Sequence, residues 1–205
     1  MLRGAGMFGK LALMLAATLV IGACGQSGGK AAEGEMALGA AEGAKVTVVE
    51  YASVTCSACA AWNETVWPAF KAKYVDSGKV RYIFREYPTP PADVAAAGFL
   101  MARCAGPDAY FPTIDAIMRS QVEWRNGVAP RDSLIRIAAA HGMDEQAFMA
   151  CVTDEQAIKA LETRTAAARA AGVTGTPAFF INDQQVQGRS LDELSAVIDP
   201  LLGAP

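Results

Sequence analysis

Two cysteines, Cys56 and Cys59, lie where the sequence changes from a strand pattern to a helix pattern. The β-branched run over 46–51 predicts a strand that ends shortly before the first cysteine. Beyond it, apolar residues recur at helical spacing to about residue 74. A second run of strand type covers 80–85, so the order is strand, helix, strand. This order favours a parallel strand pair with a right-handed crossover.

The position of Cys56 at a helix N-terminus favours redox chemistry. Free backbone N–H groups and the helix dipole stabilise a thiolate there and lower its pKa below about 8.5. Cys59 follows one turn later on the same face, close enough to form a disulfide. A zinc half-site is one alternative, but a second Cys-x-x-Cys is missing and His141 is the single histidine. A purely structural disulfide is another, but so short a loop contributes little entropy.

The middle of the chain predicts a block of helices. Pro68 should kink the first helix before this block begins. Asp144 and Asp154 stand where N-caps are expected. Helical patterns cover five segments: 93–104, 108–121, 131–141, 144–151 and 154–171.

Strand patterns return near the C-terminus. The segments 178–181 and 184–187 flank Asn182-Asp183 and predict a hairpin. Ser190 and Glu193 then form a capping box that opens a last helix. The whole order is βαβ, a helical block, then ββα.

The N-terminus predicts export. A positive segment precedes an apolar run that is too short for a comfortable membrane span, and the run ends in Ile-Gly-Ala-Cys24. This ending resembles the lipobox of bacterial lipoproteins, which implies a signal peptide over 1–23 and lipid attachment at Cys24. Ordinary secretory cleavage before a free Cys24 is the alternative. Residues 24–44, rich in Gly, Ala and Glu, predict a lipid anchor and flexible tether.

An oxidising compartment allows further disulfides to persist. With Cys24 assigned to lipid, four cysteines remain, and Cys56–Cys59 with Cys104–Cys151 is the simplest of three connectivities. Two buried free thiols at 104 and 151 are the alternative. A Cys104–Cys151 bridge would close a long loop and contribute about 4 kcal/mol.

Taken together, three features resemble the thioredoxin superfamily. These are Glu50-Tyr51-Ala52-Ser53 ahead of Cys56-Ser57-Ala58-Cys59, the interrupting helices, and Gly175-Thr176-Pro177 before the hairpin. The insertion makes the chain similar to the DsbA-like branch of thiol–disulfide oxidoreductases. The resemblance implies an α/β thioredoxin fold over 45–90 and 173–203, with a helical insertion over 91–172. DsbA-like relatives from alpha-proteobacteria with a second disulfide in this block support the Cys104–Cys151 pairing.

The resemblance also implies residue roles. Cys56 would be the nucleophile and Cys59 the resolving thiol. Thr176-Pro177 would be the cis-proline loop, whose backbone pairs with a substrate peptide. Glu50 would be the buried acid that exchanges a proton with Cys59, and a solvated Glu at a strand end is the alternative. No metal and no cofactor are expected.

The predicted function is thiol–disulfide exchange with cysteines of exported polypeptides in the periplasm, most simply as a DsbA-like oxidase. A DsbB-like quinone reductase in the membrane would reoxidise the protein, which is expected to be a lipid-anchored monomer. Ser57-Ala58 replaces the Pro-His of the best-known member, so a less oxidising couple is expected. A reductase or isomerase is one alternative, and a non-catalytic metal-binding or chaperone lipoprotein is another. The net charge of −3 predicts no nucleic-acid partner.

Overall fold

The computed structural model describes residues 34–203. Five strands form one mixed sheet in the order β1-β3-β2-β4-β5. The strands are β1 (Met36–Gly39), β2 (Thr47–Ala52), β3 (Arg81–Glu86), β4 (Ala178–Ile181) and β5 (Gln184–Val186). β2 and β3 pair in parallel and all other pairs are antiparallel. The parallel strand pair predicted on either side of the first helix is therefore confirmed.

Eight α-helices accompany the sheet in the described part of the chain. The crossover between β2 and β3 carries α1 (Ser57–Thr65), α2 (Trp67–Phe70) and a π-helical turn (Lys71–Val75). The insertion carries α3 (Ala92–Cys104), α4 (Pro107–Arg125), α5 (Pro130–Ala140), α6 (Glu145–Val152) and α7 (Glu155–Ala170). The last helix is α8 (Leu191–Leu202). None of these helices is both long and apolar enough to span a membrane.

The strand β1 corrects the prediction of a flexible tether over 24–44. Residues 36–39 pair antiparallel with β3, with Met36 opposite Phe84. Met36 is buried in the core, and its strand satisfies backbone groups of β3 that would otherwise form an open edge. Gly39 ends the strand at a positive φ of 85°. The rest of the predicted tether up to residue 33, the predicted signal peptide and Cys24 lie outside the described residues.

The first predicted helix is interrupted where Pro68 approaches. α1 ends at Thr65, and Pro68 lies in the first turn of α2, where its missing N–H leaves no hydrogen bond unmade. The predicted caps form: Asp144 accepts from the N–H of Ala147 at 2.8 Å, and Ser190 and Glu193 make a reciprocal capping box. α4 runs four residues beyond the predicted end at residue 121.

Apolar side chains cover both faces of the sheet. On one face, residues such as Val48, Phe84 and Phe179 join a large core that also includes the insertion helices. On the other face, Val49 and Ile83 belong to a smaller cluster that includes Ala168 of α7. The helical insertion therefore shares its core with the sheet instead of forming a separate unit.

A buried charge network attaches the insertion to the end of β3. Glu86 is fully buried and pairs with Arg103 of α3 and Arg164 of α7, the latter at 2.6 Å between Nε and Oε2. Tyr110 of α4 donates a third hydrogen bond to Glu86 at 3.1 Å. Because buried charges are tolerated only when they are paired and hydrogen-bonded, this network fixes three insertion helices against one strand end.

Candidate active site

Cys56 is the N-cap residue of α1, at the point where the chain leaves β2. Its backbone is extended, with φ −80° and ψ 120°, so its side chain lies beside the first N–H groups of the helix. The sulfur is half-buried and is a free thiol in the structure. Cys59 lies in the first turn of α1 and is completely buried, also as a free thiol.

The environment of Cys56 stabilises its thiolate. A hydrogen bond from the Cys59 thiol has the largest effect and, against the opposing effect of burial, helps lower the pKa of Cys56 to about 5. The hydroxyl of Thr176 and the backbone N–H groups of Cys59 and Ala58 lower this pKa further. The prediction that the helix N-terminus stabilises the thiolate therefore accounts for part of the effect, and the partner cysteine accounts for more.

The pKa of Cys59 is shifted in the opposite direction, upward from its ordinary value. Burial raises the pKa of its thiol far above the ordinary value, and the hydrogen bond to Cys56 and the charge of Glu50 raise it further. The two sulfurs therefore differ sharply: at neutral pH one is a partly exposed thiolate and the other a buried thiol. An arrangement of this kind has one sulfur that attacks or is attacked from solvent and one that acts only within the protein.

Glu50 lies on β2 with its side chain in the protein interior, where 2% of the residue is exposed. Burial raises the pKa of its carboxyl group to about 8, although a hydrogen bond from the Tyr82 hydroxyl opposes this shift. The structure therefore excludes the alternative of a solvated Glu at a strand end. The charge of Glu50 in turn raises the pKa of Cys59.

The loop before β4 completes the site. The peptide bond between Thr176 and Pro177 is cis, as the resemblance implied. In its protonated form the Cys56 thiol donates a hydrogen bond to the carbonyl oxygen of Thr176 at a sulfur–oxygen distance of 3.4 Å. The Thr176 hydroxyl is buried and has no hydrogen-bond partner among the described residues, so it remains available to donate to the Cys56 thiolate, whose pKa it lowers. This loop thus presents backbone polar groups immediately beside the reactive sulfur.

Two contributors to the site were not predicted from the sequence. Gln121 of α4 donates to the carbonyl oxygens of Val54 and Cys56 at 2.8 and 3.2 Å, which anchors the loop between β2 and α1 to the insertion. Tyr82 of β3 binds Glu50 from the neighbouring strand. Their one sequence signal is a polar atom inside a strongly apolar pattern, and this signal does not name a partner.

Three further features of the described residues concern metal ligands, a cavity and a second disulfide. Within residues 34–203 no group of three or more His, Cys, Asp or Glu side chains could hold a metal ion. A cavity of about 540 Å³ is lined by other residues, among them Tyr51, Arg103 and Arg164. Cys104 and Cys151 are joined by a disulfide with a Cα–Cα distance of 6.3 Å, which links the ends of α3 and α6.

The sequence profile of the thioredoxin family matches residues 31–200. The chain belongs to the thioredoxin family. The predicted thioredoxin fold with a helical insertion is confirmed by this match, by the sheet order and by solved structures of similar proteins. Within this family, the features described above are those of a Cys-x-x-Cys redox site.

Solved structures support the assignment. The chain is 29% identical to alpha-DsbA1 of Wolbachia pipientis, with a TM-score of 0.74 over 82% of this chain and 91% of the other. It is 25% identical to a protein-disulfide isomerase of Novosphingobium aromaticivorans, with a TM-score of 0.69 over 84% and 99% of the two chains.

Relatives with similar sequences support the same family assignment. A predicted protein-disulfide oxidoreductase of Rickettsia bellii is 33% identical over 169 residues, which are 82% of this chain and 64% of the relative. The chain spans about three fifths of the length of the curated relatives it matches.

Proposed function

We propose that this protein is a thiol–disulfide oxidoreductase that exchanges a Cys56–Cys59 disulfide with cysteines of exported proteins, and that it works mainly as an oxidase. The observation that carries the proposal is that the pKa values of the two cysteines are shifted in opposite directions. Cys56 is a half-exposed thiolate with a pKa of about 5, and Cys59 is a buried thiol with a raised pKa. This asymmetry assigns Cys56 as the sulfur that meets substrate and Cys59 as the resolving sulfur.

Oxidation of a substrate takes two steps. A substrate thiolate attacks Cys56 Sγ, the Cys56–Cys59 bond breaks, and Cys59 leaves with the electron pair and takes up a proton, for which Glu50 is the donor. A second substrate thiolate then attacks the substrate sulfur of the mixed disulfide, and Cys56 leaves as a thiolate. The low pKa of Cys56 makes it a good leaving group, so the second step is fast and releases an oxidised substrate.

The loop at Thr176-Pro177 is the proposed docking element. Its cis bond and its position beside Cys56 turn the backbone of Thr176 toward the reactive sulfur. An extended substrate segment could therefore pair with this backbone as an added strand and bring its cysteine to Cys56. Recognition through main-chain hydrogen bonds suits an enzyme that acts on many different cysteine-containing polypeptides.

The oxidase direction is supported by the thiolate pKa. A pKa of about 5 lies between the values of about 7 for thioredoxin and about 3.5 for DsbA. Because those proteins have potentials of about −270 and −120 mV, we expect this couple near about −200 mV. Structural disulfides of secreted proteins lie below about −300 mV, so a couple at this potential still transfers its disulfide to them.

Two measurements test the proposal: trapping of mixed disulfides with substrates, and the reduction potential of the Cys56–Cys59 couple. Cys59→Ala should accumulate mixed disulfides with reduced unfolded proteins through Cys56, whereas Cys56→Ala should accumulate none. Equilibration of the wild-type Cys56–Cys59 couple against glutathione, with Cys104–Cys151 intact, should give a value near about −200 mV. A value at or below about −270 mV would favour a reductase, a direction also compatible with Ser57-Ala58 between the cysteines.

The cellular setting belongs to the same proposal. We propose a periplasmic monomer that is anchored to the membrane through lipid on Cys24 and reoxidised by a DsbB-like quinone reductase. The support is the sequence of the N-terminal segment, which ends its apolar run at Cys24. Replacement by Cys24→Ala should move the protein from the membrane fraction to the soluble periplasmic fraction. Retention of this variant in the membrane fraction would contradict the lipid anchor.

A further inference from the structure

Tyr82 is a buried tyrosine whose hydroxyl donates a hydrogen bond to Glu50, the only acidic residue at the redox site within the described residues. Tyr82 lies opposite Val48 in the parallel register of β2 and β3, two positions along from Glu50. Both side chains therefore lie on the same face of the sheet, and the Tyr82 hydroxyl donates to Glu50 Oε2. Both residues are almost completely enclosed, so water does not compete for this contact.

Aromatic neighbours fix the ring of Tyr82. Trp67 packs against it with a centroid distance of 4.5 Å, and Phe70 and Phe111 each lie at 6.2 Å. Such close packing leaves the ring a single orientation, which directs the hydroxyl at the carboxyl group. The hydrogen bond therefore holds Glu50 in place at low entropic cost when its charge changes.

We propose that Tyr82 is a positioning residue for proton transfer between Glu50 and Cys59, because its hydroxyl orients the buried carboxyl group and stabilises the ionised form. The proposal rests on the proposed function and deepens it. Without this donor the pKa of the buried carboxyl group would lie still higher, and the carboxylate would form less readily. With the donor, the group can both give up a proton and recover it.

The proton balance uses the same steps as the exchange reaction. When the Cys56–Cys59 bond breaks, Cys59 leaves as a thiolate, the carboxyl proton of Glu50 passes to its sulfur, and the carboxylate remains bound to Tyr82. In the reverse direction, the Glu50 carboxylate accepts the proton of the Cys59 thiol, which then attacks the mixed disulfide at Cys56. No further oxidant or co-reactant is required in either direction.

Few titratable groups complicate this exchange. Besides Tyr82, Cys56 at the start of α1 raises the pKa of Glu50, and Glu50 raises the pKa of Cys59. Tyr82 itself is influenced by Glu50, by Tyr110 of α4 and by Cys59 of α1. The pKa of Tyr82 is raised well above its ordinary value by burial and by Glu50, so its phenol remains a donor throughout the neutral range.

The test is Tyr82→Phe, which removes one oxygen and leaves the ring packing in place. Protein carrying a glutathione mixed disulfide on Cys56 is followed as Cys59 releases glutathione at a series of pH values. The wild-type rate should rise with a midpoint somewhat below the Glu50 pKa of about 8, because Cys56 carries no charge in the mixed disulfide. In the variant we expect the midpoint to move upward by about one pH unit or more, with a roughly tenfold slower reaction at neutral pH.

A matched control is available in Tyr110→Phe. Tyr110 is equally buried and also donates to a buried carboxylate, Glu86, but this pair is not at the redox site. The control should lose similar stability and keep the wild-type midpoint. Glu50→Gln should abolish the pH-dependent step, and adding Tyr82→Phe to Glu50→Gln should slow the reaction no further.

Titration of the Glu50 carboxyl carbon by NMR measures the pKa of Glu50 directly and provides a second test of the role of Tyr82. If Tyr82→Phe does not fold, replacement of tyrosine by 3-fluorotyrosine, a stronger donor, should lower the pKa of Glu50. An unchanged midpoint in Tyr82→Phe, or an equal shift in Tyr110→Phe, would overturn the role of Tyr82 and leave the proposed function intact. Absence of glutathione release in the wild type would instead refute the proposed function.

Discussion

The hydroxyl of Thr176 influences Cys56 from a different chain segment. It is one of the groups that lower the Cys56 pKa, and valine would remove it while keeping the backbone carbonyl beside the sulfur. We expect Thr176→Val to raise the pKa of Cys56 from about 5 by about one unit, since the sulfur is half-exposed and water partly replaces the donor. Titration of the reduced variant by thiolate ultraviolet absorbance measures this.

The control for this experiment is Thr55→Val. Thr55 adjoins Cys56 in sequence, but its hydroxyl donates to the carbonyl oxygen of Thr89 at 2.8 Å. Loss of that bond should leave the pKa of Cys56 unchanged. Equal shifts in the two variants would show that general loosening of the site, rather than a specific donor, controls the thiolate.

Glu50 gives a pH dependence of stability with a definite sign. Its folded pKa is about 8, above the ordinary value of 4.5, so the stability it contributes is fully present below pH 4.5 and is lost as the pH rises through 8. Glu50→Gln keeps an acceptor for Tyr82 but cannot ionise. In the oxidised protein the cysteines do not titrate and the Cys56 charge no longer raises the Glu50 pKa, but burial still does, so the variant should lose less stability than the wild type as the pH rises.

Urea unfolding of both oxidised proteins at several pH values measures the difference. The gap in unfolding free energy should widen from acid to pH 9 by at most about 5 kcal/mol, the value that corresponds to the full pKa displacement. A gap that stays constant with pH would mean that Glu50 ionises in the folded protein as easily as in the unfolded chain.

Sequence reasoning identified side chains whose chemistry follows from local position. Cys56 and Cys59 were assigned as a redox pair from the junction of a strand and a helix. Tyr82 and Gln121 were not found, because their partners lie 32 and 65 residues away in the chain, and a hydrogen bond across that separation leaves no local pattern. Thr176 was assigned to the cis-proline loop from the resemblance, but the effect of its hydroxyl on Cys56 was not predicted, because the two residues lie 120 positions apart.

At the scale of elements, hydrophobic periodicity predicted the five insertion helices closely because each has a long apolar face and a defined start. Asp144 and Asp154 accept hydrogen bonds from the first turns of α6 and α7, as their positions indicated. The strand β1 could not be predicted in this way. Its four residues, Met-Ala-Leu-Gly, are mostly apolar but too few to show a strand pattern, and the strand forms because the edge of β3 offers it hydrogen bonds.

The disulfide between α3 and α6 should contribute stability without affecting the redox site. It closes a loop with a sequence separation of 47 residues, for which chain entropy gives about 4 kcal/mol. We expect Cys104→Ala with Cys151→Ala to lower the free energy of urea unfolding by about this amount or somewhat less. The pKa of Cys56 should stay near about 5 because neither sulfur of this bridge acts on it.

Both quantities are measured on the same double variant, with Cys56–Cys59 reduced in the variant and the wild type. A loss of stability below about 1 kcal/mol would indicate that the insertion is held by its packing and by the Glu86 network alone. A changed Cys56 pKa would instead show that the bridge transmits strain through α3 and α4 to the loop that Gln121 anchors.

At the scale of the whole molecule, the redox state and the folding equilibrium are linked. The pKa of Cys56 is about 5 in the folded reduced protein and about 9 as the ordinary value, so its thiolate stabilises the reduced fold. This contribution is fully present above pH 9 and is lost as the pH falls through 5. The oxidised protein has no such group. Burial raises the pKa of Glu50 in both forms, and the Cys56 charge adds to this shift only in the reduced form. The stability of the reduced protein relative to the oxidised protein should therefore rise with pH.

Urea unfolding of the two forms between pH 5 and pH 9, with Cys104–Cys151 intact in both, measures this rise. The slope should be positive and at most about 1.4 kcal/mol per pH unit, because unfolding takes up at most one proton at Cys56. Solvent screening of the half-exposed sulfur narrows the pH window of this rise. Above pH 9 the slope should reverse, since the raised pKa of buried Cys59 then opposes folding of the reduced form. A flat difference across this range would mean that Cys56 has an ordinary pKa. In that case the thiolate could not drive disulfide transfer to substrates, and the molecule would lack the main physical basis for acting as an oxidase.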